Sequence, residues 1–163
     1  MMIRYMNDSD LQAVLEIYKK GIETGNATFE TTPPPADHWN RSHHKFCRML
    51  CIDDGEVAGW TALSPVSSRP CYAGVAELSI YVRPDCTGRG IGSQLIARLV
   101  PESERNGIWT LYSSIFPENK ASRRLLLKFG FREIGRRESI AQLDGRWRST
   151  LILERRSKTV GSR

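Results

Sequence analysis

The sequence contains few of the residues that build metal sites or disulfide frameworks. Among its 163 residues there are four cysteines and three histidines. The cysteines include no C-x-x-C pair, and His38, His43 and His44 fall in one short segment without the spacing of a zinc site. We therefore expect reduced thiols and no bound metal.

Long apolar runs are also missing. No stretch approaches the roughly 18 consecutive apolar residues of a membrane-spanning helix. The first residues, Met1 to Met6, lack the apolar run and the small-residue cleavage site of a secretory signal peptide. Apolar residues make up 40% and charged residues 26% of the chain, which is ordinary globular usage and excludes a disordered or fibrous protein. We expect one cytoplasmic domain over residues 1–163.

Positive charge exceeds negative charge. Lysine and arginine number 24 against 18 acidic residues, a net charge of +6. This excess suits a partner that carries phosphate, but it does not distinguish nucleic acid from a phosphorylated cofactor. Tryptophans interleaved with basic residues would favour nucleic acid. The four here lie within apolar patterns instead: Trp39, Trp60, Trp109 and Trp147.

Apolar periodicity predicts the elements in the first half of the chain. Residues spaced by three and four, such as Leu11, Val14 and Tyr18, indicate a helix docked on a core. Three consecutive prolines, by contrast, exclude residues 33–35 from a helix interior or a central strand. These patterns predict, in chain order, a strand at 3–6, a helix from 11 to Gly21, a loop at 25–35, a helix at 36–45, and a hairpin of strands at 46–52 and 57–63.

The second half alternates strands and helices before a closing hairpin. Gly130 ends a helix that begins near Asn119. The dipeptide Asp144-Gly145 is a strong hairpin signal. The predicted elements are strands at 74–82 and 108–115, helices at 93–100 and 117–129, strands at 131–142 and 146–154, and a flexible basic tail at 155–163.

A glycine-rich segment joins a strand to a helix. Gly88, Gly90 and Gly92 leave successive backbone N–H groups unshielded at a helix N-terminus, which is a pocket for phosphate. No Lys-Ser or Lys-Thr follows the glycines, so this is not a Walker loop, and its place in the chain does not fit the dinucleotide fingerprint. The spacing alone also fits a sharp turn that binds nothing.

The order of the motifs closely resembles the GNAT superfamily of acetyl-CoA-dependent N-acetyltransferases. Residues 79–84 precede the glycine loop, and residues 117–122 and 128–131 follow it. The resemblance covers nearly the whole chain. It implies an α/β (α+β) fold with a mixed, mostly antiparallel twisted sheet, flanked by helices and splayed between its central strands. Four segments resemble the phosphinothricin and methionine sulfoximine acetyltransferase branch: 26–29, 69–72, 77–82 and 144–147.

The resemblance implies acetyl-CoA as co-substrate. The glycine loop would bind its pyrophosphate, and the preceding strand would pair with its pantetheine arm like an added strand. The family usually begins this loop with Gln or Arg, whereas Thr87 offers a hydroxyl without charge, which implies a lower CoA affinity. The implied cofactor-binding residues are Ile80, Tyr81, Val82, Thr87, Gly88, Arg89, Gly90, Ile91, Gly92, Ser93 and Asn119.

Glu77 is the implied catalytic residue. Beside the thioester it would accept, directly or through water, the proton that the amine loses. Alternatively, Glu77 has no catalytic role and is an exposed strand carboxylate or forms an ion pair with a nearby arginine. Many family members carry Tyr or His where this chain has Leu126, so the proton donor to the leaving thiol stays open among Tyr112, Tyr81 and water.

The acceptor is expected to be an amino acid or a toxic analogue with two acidic groups. Arg69 offers a planar fork for a carboxylate or phosphinate, and Phe29 and Tyr72 would wall the side-chain slot. Ser79 and Glu77 complete the predicted acceptor set. Phosphinothricin, methionine sulfoximine and arsinothricin share the required shape. Asp144 stands where phosphinothricin enzymes can carry His, which counts against phosphinothricin.

Other functions stay open at this point. A protein N-terminus or a polyamine could be the acceptor, and the alternative from another class is a non-enzymatic module that binds CoA or nucleic acid. Direct attack by the amine is favoured, because neither Cys71 nor Cys86 has an evident activating partner. A homodimer is expected from the resemblance alone.

Overall fold

A seven-stranded sheet forms the middle of the molecule, in the order β1-β2-β3-β4-β5-β7-β6. The computed structural model describes residues 1–162. All neighbouring strands are antiparallel except β4 and β5, which are parallel. The strands are β1 (Met2–Tyr5), β2 (Met49–Asp53), β3 (Glu56–Pro65), β4 (Val75–Val82), β5 (Thr110–Ile115), β6 (Arg132–Leu143) and β7 (Arg146–Arg156).

Helices cover both faces of the sheet. The helices are α1 (Leu11–Glu23), α2 (Ala36–Ser42), α3 (Ile91–Arg105) and α4 (Lys120–Lys128). Residues of α1 and α2 bury Trp39 and Trp60 against one face, whereas Leu126 of α4 and Leu99 of α3 pack on the other. None of these helices combines the length and apolar character that crossing a bilayer requires within residues 1–162. The mixed, helix-flanked sheet confirms the predicted fold class.

The two central strands separate after a short pairing. The parallel register of β4 and β5 comprises Val75 with Thr110, Ala76 with Leu111, and Glu77 with Tyr112. From Leu78 onward β4 has no partner on this side. The predicted splay between the central strands is therefore confirmed, and it begins at Glu77.

Alternation along β4 determines which residues face each helical layer. Ala76, Leu78 and Ile80 pack in the core with α3. Since successive side chains of a strand point to opposite faces, Glu77, Ser79 and Tyr81 point toward the α1 and α2 side. Tyr81 packs there against the cluster that contains Trp60.

Three predicted C-terminal helix ends were wrong. Helix α3 continues to Arg105 instead of ending at residue 100, and its buried face extends to Ser103. Gly21 lies inside α1, which continues to Glu23, because the missing side chain lets the helix approach β4: a Cβ at Gly21 would lie 2.6 Å from Cδ1 of Tyr81. Helix α2 ends at Ser42 rather than at residue 45. Extended backbone at His43 stops it there, and the His43 ring Nδ1 lies 2.7 Å from the Trp39 carbonyl oxygen.

The first residues of the predicted flexible tail at 155–163 belong to the fold. Strand β7 continues to Arg156, and Ser157 is buried. The Ser157 N–H donates to the Trp109 carbonyl at 2.7 Å, and its hydroxyl donates to Oε1 of Glu104 at 2.9 Å. These polar groups find partners in the fold, so the segment is anchored despite its basic composition. Arg163 lies outside the described residues.

The close approach at Gly21 predicts the sign of a stability change. In an exposed helix, replacing Gly by Ala stabilises by roughly 1 kcal/mol. G21A should instead destabilise the protein by about 1–3 kcal/mol, because the new methyl group displaces the packed Tyr81 ring. Urea unfolding at 25 °C measures this difference, with K20A in the same helix as control. A G21A protein more stable than wild type would contradict the packing described here.

Candidate active site

A cavity of about 920 Å³ lies where β4 and β5 diverge. The loop at residues 25–35 and helix α2 bound it on one side, and residues of β6 and β7 bound it on the other. Among its lining residues are Glu77, Ser79, Tyr81 and Tyr112. The cavity therefore joins the open edge of β4 to the sheet face that carries Glu77.

Glu77 is a half-buried carboxylate without a partner. Within residues 1–162 it forms neither a hydrogen bond nor an ion pair, so the structure shows no ion pair of the kind considered as its alternative role. Burial raises the pKa of Glu77 above the ordinary range of a glutamate. A carboxylate in this condition is a stronger base than an exposed one, and it faces a space large enough for a substrate.

Two tyrosines beside Glu77 keep their protons at neutral pH. Burial raises the pKa of Tyr112, and the nearby Glu77 charge raises it further. Burial also raises the pKa of Tyr81, whose ring stacks on Trp60 with 5.0 Å between ring centroids. Both phenols line the cavity and can serve as proton donors.

The glycine loop presents backbone donors at the start of α3. Gly88 and Gly90 both have positive φ, 77° and 80°, and a Cβ at either position would point into open space. The first hydrogen bond within α3 runs from the Gln94 N–H to the Gly90 carbonyl at 3.1 Å. The N–H groups of the first turn, at residues 91–93, therefore have no carbonyl of the helix to bind, which is the arrangement that binds phosphate.

Side chains of this loop are held by protein groups. The Thr87 hydroxyl donates to the Pro84 carbonyl at 3.0 Å, and the Arg89 guanidinium pairs with Asp53 at 2.6 Å. Lys128 donates to the Ser93 hydroxyl at 3.2 Å. The hydroxyl proton of Thr87, expected from the sequence to be available to phosphate, is thus used to close the turn, and the main chain is left as the donor set.

The remaining predicted cofactor residues occupy two places. Ile80 and Tyr81 line the cavity along the unpaired edge of β4, whereas Val82 lies at the end of that strand, outside the lining. Asn119 also lines the cavity. Its side-chain oxygen accepts from the Ser122 N–H at 3.2 Å, capping α4, and its amide nitrogen donates to the Asn26 carbonyl at 3.3 Å.

The predicted acceptor residues are only partly brought together. Phe29 and Ser79 line the cavity with Glu77, and the Phe29 ring meets Phe116 edge-on at 4.9 Å. Arg69 and Tyr72 lie on the exposed segment between β3 and β4, with the guanidinium 5.6 Å from the tyrosine ring centre. Neither lines the cavity, so their role in binding the acceptor stays a prediction.

Arg148 was missed by sequence reasoning, although it positions the loop that covers the cavity. It donates to the Gly25 carbonyl and to Oδ1 of Asn26, both at 2.9 Å, and lies over the Phe116 ring at 4.0 Å. It also pairs with Glu118 at 3.3 Å, but its two partners in the loop, Gly25 and Asn26, are more than 120 positions away along the chain. No local pattern could therefore have identified it.

The histidine segment contributes to the cavity wall rather than to a metal site. His43 stacks on Trp39 with 4.0 Å between ring centres, and both line the cavity with His38. Burial lowers the pKa of His43, so the ring is neutral at pH 7. In the part of the chain that the structure describes, no group of three or more His, Cys, Asp or Glu residues is placed to hold a metal ion.

Comparisons with known proteins agree with this geometry. A profile described as the Acetyltransferase (GNAT) family matches residues 11–131. The chain belongs to the GNAT acetyltransferase family. It is 30% identical over 156 residues to a phosphinothricin N-acetyltransferase of Streptomyces coelicolor, with 91% of each chain covered. It is 31% identical over 153 residues to an L-methionine sulfoximine/L-methionine sulfone acetyltransferase of Pseudomonas paraeruginosa, with 89% of this chain and 88% of that protein covered.

A solved GNAT structure extends the likeness to the co-substrate. A phosphinothricin acetyltransferase from Sinorhizobium meliloti, solved in complex with acetyl-CoA, matches with a TM-score of 0.86 and 25% identity over 98% of this chain and 95% of that one. This GNAT enzyme is accordingly an acetyl-CoA-dependent N-acetyltransferase. Acetyl-CoA supplies a thioester whose acyl carbon accepts an amine. The backbone donors at the start of α3 and the unpaired edge of β4 suit its phosphates and its pantetheine amides.

The unpartnered carboxylate predicts a gain in stability when it is removed. Folding raises the pKa of Glu77, so the wild-type protein loses stability as the pH rises from the ordinary glutamate range through this raised value. E77Q removes that penalty. In guanidinium unfolding, E77Q should have a higher free energy of unfolding than wild type at about pH 8. This difference should disappear toward about pH 4, where the Glu77 carboxyl is protonated in the unfolded protein as well.

The control for this measurement is E30Q, a change at an exposed residue on the same cavity. It should leave the unfolding midpoint unchanged at both pH values. An E77Q protein less stable than wild type at pH 8 would show that the carboxylate has a stabilising partner.

The contacts of Arg148 predict local loosening when they are lost. R148A removes two hydrogen bonds to the loop at residues 25–35 and should cost about 1–3 kcal/mol of stability. In hydrogen exchange, amides of residues 25–32 should exchange faster in R148A, while β2 and β3 keep their protection. R146A, at an exposed arginine of the same strand, is the control. Equal exchange in both variants would contradict the positioning role.

Proposed function

We propose that this enzyme transfers the acetyl group of acetyl-CoA to the α-amino group of an amino acid or amino acid analogue of the phosphinothricin, methionine sulfoximine or arsinothricin type. The observation that carries the proposal is the unpartnered Glu77 carboxylate in the cavity at the point where β4 leaves β5. The acceptors named for the two relatives support this substrate class. The proposal includes a cytoplasmic location and a role in detoxifying such analogues.

Glu77 acts as the general base. Its carboxylate accepts the amine proton, directly or through one water, as the nitrogen forms the new C–N bond and the C–S bond breaks. Aligning amine and thioester can contribute about 7–11 kcal/mol, against roughly 3–5 kcal/mol from the base. Loss of Glu77 should thus impair turnover without abolishing it.

Transfer proceeds by direct attack. A covalent route needs a nucleophile in the cavity with a neighbouring base. Cys71 is exposed on the segment between β3 and β4, Cys86 is buried just before the glycine loop, and neither lines the cavity. The leaving sulfur receives its proton from Tyr112, from Tyr81 or from water.

The other predicted residues take supporting roles in the proposal. The main chain of residues 87–93 binds the CoA pyrophosphate, Ile80, Tyr81 and Val82 pair with the pantetheine arm, and Asn119 contacts the far end of the co-substrate. Phe29, Ser79, Arg69 and Tyr72 would contact the acceptor. For Arg69 and Tyr72 this requires the exposed segment that carries them to move toward the cavity.

We also propose a homodimer. Ile134 and Ile140 on β6 and Trp147 on β7 are 46%, 50% and 62% exposed, which is high for large apolar side chains. They lie on the edge hairpin of the sheet, and Ile140 also lines the cavity. A second copy covering this hairpin would remove apolar area from water.

The function is tested by thiol release from acetyl-CoA with a panel of acceptors. L-methionine sulfoximine and phosphinothricin should support turnover, whereas spermidine and a peptide with a free N-terminus should not. For the wild type, kcat/KM should rise with pH through the raised pKa of Glu77. E77Q should lower kcat about 10²–10³-fold and lose this acid limb, because an amide cannot accept the proton.

E30Q should keep both the rate and the pH profile of the wild type. Wild-type rates in E77Q at every pH would remove Glu77 from the mechanism. Turnover of spermidine or peptide alone would favour a polyamine or protein N-terminal acetyltransferase, and tight nucleic-acid binding without turnover would favour a binding module.

A further inference from the structure

Within residues 1–162, helices cover only part of the sheet face that carries Glu77. Helices α1 and α2 cover the β2–β4 part of that face. On the β5-β7-β6 part, Tyr112 pairs with Glu154, and Thr150 lies four residues before Glu154 on the same strand. Since side chains alternate along a strand, Tyr112 and Thr150 point to the same side, and that side lines the cavity.

Thr150 is a buried polar residue without a partner. The residue is 5% exposed, and its Oγ1 atom makes no hydrogen bond within residues 1–162. Leaving a buried hydroxyl unsatisfied costs about 1–3 kcal/mol, and most buried polar groups avoid this cost. Because Thr150 lines the cavity, a ligand there can supply the missing partner.

Arg137 lies directly opposite Thr150 in the antiparallel register of β6 and β7. Side chains of directly opposed residues begin roughly 5 Å apart on the same face. Arg137 also lines the cavity and has no ion pair in the described chain, whereas its neighbour Arg136 pairs with Glu138 at 2.7 Å. Apart from its contact with the Tyr112 phenol, this guanidinium has no acidic partner in the described chain, and its parallel N–H donors match the two oxygens of a carboxylate.

Tyr112 lies between two groups of opposite charge, the Glu77 carboxylate and the Arg137 guanidinium. Besides burial, the Glu77 charge raises the pKa of Tyr112, and the Arg137 guanidinium acts on it in the opposite direction. Both charged groups therefore lie near this phenol, one toward β4 and the other toward β6. A free amino acid carries an ammonium group and a carboxylate on one carbon, so its charges are complementary to this pair.

We infer that Arg137 and Thr150 form the carboxylate subsite of the acceptor cavity, with the guanidinium binding both oxygens and the threonine hydroxyl donating to one of them. The inference rests on the proposed function, which supplies the amino acid acceptor. It assigns the α-carboxylate to the uncovered sheet face rather than to Arg69. With the carboxylate held there, the α-nitrogen is directed toward Glu77.

The kinetic test compares L-methionine sulfoximine with its α-carboxamide, which lacks the negative charge. R137Q should raise KM for the acid about 10–100-fold, the loss expected for a charged hydrogen-bonded pair, and change KM for the amide less than about 3-fold. T150V should raise KM for the acid by a smaller factor. KM for acetyl-CoA should stay unchanged in both variants.

Two arginine variants are the controls. R136Q lies on the same strand, removes an exposed ion pair and should behave as the wild type. R69Q should leave the preference for acid over amide intact. Equal losses for acid and amide in R137Q, or loss of the preference in R69Q instead, would overturn the assignment.

A binding measurement separates this inference from the proposed transfer. In calorimetric titration, the wild-type protein should bind L-methionine sulfoximine more tightly than its amide, and R137Q should lose that difference. If the wild type prefers the acid and R137Q loses that preference, but the wild type acetylates neither compound, the subsite stands and the transfer proposal falls. If R137Q acetylates the acid as the wild type does, or if the wild type binds acid and amide alike, the subsite falls.

Discussion

The structure depends on the point at which β4 stops pairing with β5. Three parallel pairs hold the two strands together, and the last joins Glu77 to Tyr112. Beyond it, both strands keep their other neighbours, so the sheet stays continuous while one edge of β4 is left without a partner. A backbone edge in a protein interior must find donors and acceptors elsewhere. The divergence of β4 from β5 therefore opens the cavity. It also leaves backbone groups of β4 free to pair with a linear ligand that contains amides.

Side chains of the glycine loop fix its geometry, and the main-chain N–H groups of residues 91–93 have no carbonyl of α3 to bind. Thr87 and Arg89 bond to protein partners, which holds the glycine loop in shape at the start of α3. Arg148 does the same for the loop over the cavity. Glu77 is the opposite case, a half-buried carboxylate without a partner in residues 1–162, so its position costs stability and raises its pKa. Such exceptions are expected where a fold carries chemistry.

Local patterns predicted most of the fold and less of the site. Apolar periodicity and turn dipeptides identified every strand and the four helices, because these signals act over a few residues. Gly21 was misread as a helix end, since its reason is a tyrosine ring on a distant strand. The same limit applies to acceptor binding. Arg69 was singled out by a motif, whereas Arg137 depends on the register of two strands, which the sequence does not display.

Hydrogen exchange in the presence and absence of acetyl-CoA tests the central claim most directly. If the open edge of β4 and the start of α3 together hold the co-substrate, saturating acetyl-CoA should slow exchange at residues 78–82 and 88–93 and leave β1 and β2 unchanged. Free acetate and adenosine should give no such protection. Binding of acetyl-CoA that protects neither segment, or no binding at millimolar concentration, would contradict the account.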